Sequence, residues 1–275
     1  YWSDAQEGYD GAVVQYSVNG GLNWQTIGNA NNEGINWYNT RDLTGSEPGG
    51  QDNFAWSGNS SQWKNARFNL DQIPVAQRDT IVFRIAFGSD ATNRFDGVLN
   101  GFAFDNVFIG EKSRSVLVEH FTNTANVNEV TTAAAYLDNL YDEQTNPSAL
   151  TYKRKPDFNK IQYHLNSPLN DPINKQVPFD AAARALHYAV DLPPYTVMDG
   201  IAGNYFNTIF NGEHALITPI QLDRRALEDP LFNIAIDTLL TTDNTLKFNM
   251  KLQYVDSTSV LDNAVVAHVA LIENQ

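Results

Sequence analysis

The period of the hydrophobic pattern changes twice along the chain, and each change limits what the flanking stretches can fold into. Over residues 1 to about 111 the period is two. Ile81, Phe83, Ile85 and Phe87 alternate with Val82, Arg84 and Ala86, the pattern of a half-buried strand. Ala12 to Val18 runs through Asn19-Gly20-Gly21 into Leu22 to Ile27. Asn-Gly tolerates positive φ at both turn positions, so this reads as a hairpin. Gly101 to Ile109, nearly apolar on both faces, predicts a further strand. Loops rich in Gly, Asn, Ser and Pro lie between, notably 44–61, and helical periodicity is absent. Residues 1–111 are therefore expected to form an all-β sandwich.

The charged segment Gly110 to Arg114 reads as a linker, after which strands and helices alternate. Ser115 to Phe121 predicts a buried strand. A helix is predicted near 129–143, with Val130, Ala134, Leu137 and Tyr141 on one face. Ile161 to Leu165 predicts a second strand, and Pro178 suits the first turn of a second helix. Tyr195 to Met198 predicts a third strand after Pro193-Pro194, closed by Asp199-Gly200. Thr218-Pro219-Ile220-Gln221 has the form of a capping box opening a helix to about Leu227. The α/β stretch is thus assigned to 112–228. Over 229–275 alternation returns at Phe232, Ile234 and Ile236, then at Leu246, Phe248, Met250 and Leu252, with a last strand from Ala264 to Ile272. These few strands are too few for both sheets of an independent sandwich. The expectation is that the protein continues past Gln275. The opening Tyr1-Trp2-Ser3-Asp4 has neither initiator Met nor signal-type segment, and reads as a mature or truncated start.

Composition removes several classes of function. With 18 basic against 32 acidic residues, net charge −14, the surface repels nucleic-acid backbones and anionic lipid. The one dense basic run, Lys153-Arg154-Lys155, reads as a solvated loop. No apolar run approaches the roughly 20 residues of a membrane span. The chain has no cysteine, which excludes disulfides, thiolate metal sites and thiol nucleophiles.

The remaining chemistry is sparse. His120, His164, His187, His214 and His268 lack the close spacing of a zinc site. There is no Gly-x-Ser-x-Gly, and Glu47-Pro48-Gly49-Gly50 lacks the following Lys-Ser/Thr of a phosphate cradle. Carboxylates abound, but a hydrolytic pair is defined by separation across a cleft, which no motif here indicates. Calcium is the most plausible ion, since it takes hard oxygen ligands. Asp4, Glu7 and Asp10 cluster near one strand start, and Asp105 lies between aromatic strand residues. Solvated turn acids are the alternative. Trp24, Trp37, Tyr38, Trp56 and Trp63 in Asn/Gly-rich surroundings fit either a sugar-binding platform or the sandwich core.

Two stretches resemble known families. Gly8 to Ser17, Gly20 to Trp24 and Gly101 to Val107 resemble the jelly-roll modules of secreted Bacteroidota proteins, which are similar to MAM and reelin-type domains. Val116 to Thr122 and Pro194 to Gly200 resemble the thioredoxin-like domain of a Bacteroidota outer-membrane and cell-surface family. That family often continues into an immunoglobulin-like sandwich, which Phe232 to Ile272 resembles. The resemblance implies a Cys-x-x-Cys pair after the first motif and a cis proline in the second. The loop here reads Thr124-Ala125-Asn126-Val127-Asn128-Glu129, placing Asn126 and Glu129 at the cysteine positions. Neither an amide nor a carboxylate can form a mixed disulfide. The resemblance therefore implies a pseudo-oxidoreductase, with a degenerate groove at Asn126, Glu129, Pro194 and Tyr195. It implies an exported protein, outer-membrane-associated or at the cell surface, non-catalytic, and an accessory or cargo of type IX secretion or gliding. Its partners would be envelope or secretion-system proteins, or glycans. Asp79-Thr80-Ile81, Asp237-Thr238-Leu239 and Asp256-Ser257-Thr258 fit the short O-glycosylation signal of such exported proteins. A carbohydrate-binding module and a carboxylate-dependent hydrolase stand as alternatives.

Overall fold

A computed structural model describes the chain except residues 32–33, 51–52, 93–96, 146–157, 201–203, 206–207, 210–211, 241–244, 256–264, 271 and 273–275. The basic run 153–155 and the tripeptide 256–258 lie outside the described residues. The described structure is rich in β-sheet, with few and short helices. None is long and apolar enough to cross a membrane. The chain divides into two compact units, Tyr1–Leu227 and Glu228–Gln275.

The first part of the larger unit holds β1 (Trp2–Asp4), β2 (Gly11–Ser17), β3 (Gln25–Thr26), β4 (Val82–Gly88) and β5 (Gly101–Ala103). They form two antiparallel sheets, β1-β5 and β3-β2-β4. The predicted hairpin exists, but its second strand shrinks to two residues. Local side chains take up the turn amides: Ser17 Oγ accepts from Gly21 N at 2.9 Å, and Asn19 Oδ1 accepts from Asn23 N at 2.9 Å. Such bonds offer the backbone an alternative to the ladder. The strand expected over 101–109 stops at Ala103, because β1 supplies only Trp2, Ser3 and Asp4 as partners. Phe104, Val107, Phe108 and Ile109 are exposed instead.

Aromatic packing holds this part together. Tyr38 and Trp56 are each 3% exposed. Trp56 lies 4.8 Å from both Tyr1 and Trp37, ring centre to ring centre, and 5.8 Å from Phe102. The Trp56 indole N–H donates to Asn36 O at 2.9 Å, as a buried tryptophan requires.

The second part holds β6 (Val116–Thr122), α1 (Val127–Glu129), a π turn (Val130–Ala134), α2 (Ala135–Thr145), β7 (Phe158–His164), α3 (Pro178–His187), β8 (Tyr195–Met198), β9 (Asn204–Tyr205), β10 (Thr208–Ile209) and α4 (Pro219–Ala226). The sheet order is β7-β6-β8, with β6 parallel to β7 and antiparallel to β8. β6 is central and mostly buried, because both its faces are covered. Val116 and Val118 pack with Leu137, Leu140, Ile217 and Leu222. Phe121 on the opposite face packs with Ala181, Ala185 and Val197. α4 opens on the predicted capping box of Thr218 and Gln221.

Residues 1–111 and 112–227 lie in one compact unit. Arg67 donates to Leu227 O at 2.8 Å and Asn69 to Asp223 Oδ2 at 3.1 Å. Lys112 of the predicted linker pairs with both Asp71 and Asp223.

The second unit is an antiparallel ribbon of β11 (Phe232–Leu240) and β12 (Leu246–Tyr254). The strand expected from Ala264 to Ile272 does not form over its described residues, which have no regular structure. No ladder partner for it exists among the described residues, and Val265, Val266, Val269 and Ile272 stand exposed.

Candidate functional site

The sheet topology brings three loops to one end. β6 and β7 run parallel, with Thr122 opposite His164, so the loops that follow both leave the same edge. β8 runs the other way and enters there, with Tyr195 opposite Phe121. The loop carrying Asn126 and Glu129 therefore shares an edge with Pro194 and Tyr195. The Pro193–Pro194 peptide is cis, as is Ser167–Pro168.

Asn126 and Glu129 do different work. Asn126 is half-buried and caps α1, its side chain accepting from Glu129 N at 3.4 Å. Glu129 is buried, 2% exposed, and turned inward. Its Oε1 and Oε2 accept from the Asn123 amide at 3.1 and 2.9 Å. Of the four residues expected to line a groove, Pro194 is exposed, Asn126 and Tyr195 are half-buried, and Glu129 offers no surface. Exposed Val127, Leu169 and Leu192 add apolar surface to the same loops.

Beneath the loop sits His120, fully buried on β6. Its Nδ1 is 3.0 Å from Thr196 Oγ1, and its Nε2 is 3.8 Å from Glu129 Oε1. Nε2 is buried with no hydrogen-bond partner. Burial, together with the positive charges of His214, Lys160 and His164, pushes the His120 imidazole down to about 3. Burial pushes the Glu129 carboxyl up, against the hydrogen bonds from Thr122 and Asn123. The pair can store or exchange a proton. Two hydroxyls flank it, that of Thr196 at His120 Nδ1 and that of Thr122 at Glu129.

Several polar centres of this region carry no local sequence motif. Asn123 Nδ2 reaches the carbonyls of Leu165, Ser167 and Leu169 at 2.8, 3.1 and 2.7 Å. Asp171 accepts from the amides of Thr124, Ile173 and Asn174 and lies 3.2 Å from His164 Nδ1. On the opposite face, Arg184 grips the buried Glu119, joined by Tyr188 at 2.7 Å. A charged residue inside the run Val-Leu-Val-Glu-His-Phe was the available signal, since a buried carboxylate demands a partner. Asp199 accepts from Leu117 N at 2.7 Å, from Arg114 at 2.9 Å and from Arg225 at 2.6 Å.

The acids expected to hold calcium do not converge. Among the described residues no three of His, Asp and Glu gather where they could hold a metal ion. Asp4 accepts from Asn59 and Asn100 side chains at 2.9 and 2.7 Å, and Asp10 from the amides of Gln6 and Asp90 at 3.4 and 3.1 Å. Glu7 is exposed. Asp105 lies past the end of β5, exposed, bonded to the following amide of Asn106 at 2.7 Å.

The aromatic candidates divide. Trp37, Tyr38 and Trp56 belong to the core cluster. Trp24 lies under the Arg84 guanidinium, 4.1 Å from its ring centre. Trp63 is 58% exposed. The histidines stay apart in role: His164 faces Asp171 and His214 faces Glu213, while His187 and His268 are exposed. No family model matches the chain, and neither a curated protein nor a solved structure matches it.

Proposed function

We propose that this chain is a non-catalytic binding protein of the exported, cell-surface class, an accessory or cargo of type IX secretion or gliding. In this reading residues 1–111 are a jelly roll, 112–228 a thioredoxin-like domain without its redox pair, and 229–275 part of an immunoglobulin-like sandwich. The partner is an extended polypeptide segment of an envelope protein, held at Asn126, Pro194 and Tyr195. One observation carries the reading. The loop after β6 uses Asn126 as a helix cap and Glu129 as a buried anchor, which supports the reading that the positions of a redox pair have been given over to structure. Around it remain Pro194, Tyr195, Val127, Leu169 and Leu192, a mostly apolar rim suited to polypeptide.

The test is affinity capture of the chain from its native envelope with mass spectrometry of the retained proteins. Stoichiometric recovery of secretion or gliding components, lost on Asn126→Ala with Tyr195→Ser, supports the groove. Retention unaffected by those substitutions overturns it. A second reading, carbohydrate binding, is favoured by the exposed indole of Trp63. A glycan array separates the two, with binding abolished by Trp63→Ala as its signature.

A further inference from the structure

Glu129 anchors more than its own helix. Both its oxygens accept from the Asn123 amide. Asn123 in turn bonds three carbonyls of the loop after β7, and its Oδ1 accepts from Ala125 N at 3.0 Å. One carboxylate thus holds the residue that staples the two loops of the groove together. Below it, His120 presents a buried ring nitrogen with no hydrogen bond, an arrangement that costs free energy until a donor arrives.

The surrounding charges are already matched to other groups. Lys160 of β7 pairs with Asp138 of α2, His164 at the end of β7 with Asp171 of the next loop, and His214 with Glu213. Lys160, His164 and His214 all oppose a positive charge on His120. A proton entering the site therefore settles on the Glu129 carboxyl and leaves the imidazole neutral.

We infer that Glu129 and His120 form a proton-operated latch beneath the groove. On acidification the Glu129 carboxyl takes one proton from solvent and donates the new O–H to Nε2 of His120. The imidazole keeps its own N–H on Nδ1, directed at Thr196 Oγ1. The neutral carboxyl then holds the Asn123 amide less strongly, because a charged acceptor makes the stronger bond. The staple between the loops slackens in acid. Its consequence, acid-controlled partner contact, rests on the groove reading above; the latch itself does not.

The experiment is amide hydrogen exchange by NMR on the whole chain at pH 7 and pH 5, with intrinsic rates divided out. Protection of the Asn123 amide is expected to fall by about ten-fold at the lower pH, while that of Val118 in the buried strand stays within about two-fold. Glu129→Gln is expected to show the low value at both pH values. Because that variant can fail to fold, the carboxyl carbon of Glu129 is also titrated in the unaltered chain. Its midpoint is expected above the ordinary value of about 4.3, in step with the His120 Nε2 resonance. Equal Asn123 protection at both pH values, or a Glu129 midpoint at the ordinary value with His120 unmoved, overturns the latch. Neither readout involves a partner, so failure of the groove to bind polypeptide leaves both intact.

Discussion

Arg184 of α3 closes two hydrogen bonds on Glu119 of β6, Nε to Oε1 at 2.7 Å and Nη2 to Oε2 at 2.8 Å, with the carboxylate only 1% exposed. Burial alone would push the Glu119 carboxyl up. The hydrogen bonds from Arg184 and Tyr188 outweigh that and hold it below the ordinary carboxylate value. Its contribution to stability is complete above the unfolded-chain value and is lost as pH falls through the folded one. Arg184→Leu leaves a buried carboxylate unpaired and is expected to cost about 3–5 kcal/mol, read from urea unfolding. Arg184→Lys is expected to fall between, because one ammonium cannot serve both oxygens in the same fork.

His120 makes the fold acid-sensitive on its own account. Its folded value of about 3 lies below the unfolded value of about 6.5. Stability from this residue is complete above the unfolded value and is lost progressively as pH falls toward the folded one. The expected loss between pH 6.5 and pH 5 is about 2 kcal/mol, at about 1.4 kcal/mol per unit. His120→Gln is expected to flatten this part of the unfolding free-energy profile, and a profile unchanged by the substitution would contradict the assignment.

Gly212 is a steric requirement of the packing around Tyr195. Its φ is +81°, and a Cβ there would lie 2.3 Å from the Tyr195 ring. That ring is packed against the cluster of Phe121 and Val197 and has little room to yield. Gly212→Ala is expected to destabilise by about 2 kcal/mol, combining left-handed strain with overpacking. The near-ultraviolet circular dichroism of the tyrosines should change with it.

Calcium is expected to bind weakly or not at all. Asp4 and Asp10 are engaged with amide donors, and Glu7 and Asp105 stand exposed without converging. Calorimetric titration of chelator-treated protein should give a flat trace, with no shift in Tm. A saturable heat abolished by Asp4→Asn would show that the carboxylates regroup around the ion.

Sequence alone determined those features that depend on neighbours along the chain. The period-two pattern marks β4, because alternate side chains of a strand must face a common core, and the Asn19-Gly20 turn marks β2. Pro178 and the Thr218–Gln221 box mark helix starts, the first because proline's fixed φ suits the first helical position, the second because capping is a contact over three positions. Tertiary structure decided where apolar runs become strands. Gly101–Ile109 and Ala264–Ile272 have the composition for it, yet only Gly101–Ala103 is a strand among their described residues, because a ladder needs a partner at the right edge. The same holds for the site. Asn126 and Glu129 are three residues apart and equally polar in sequence, but one caps a helix at the surface and the other is buried over His120. What separates them is the path of β6 and β7, which brings Asn123, Leu165 and Leu169 together from distant parts of the chain. Local pattern cannot encode a hydrogen bond between residues some forty positions apart; the fold that closes the loop creates it.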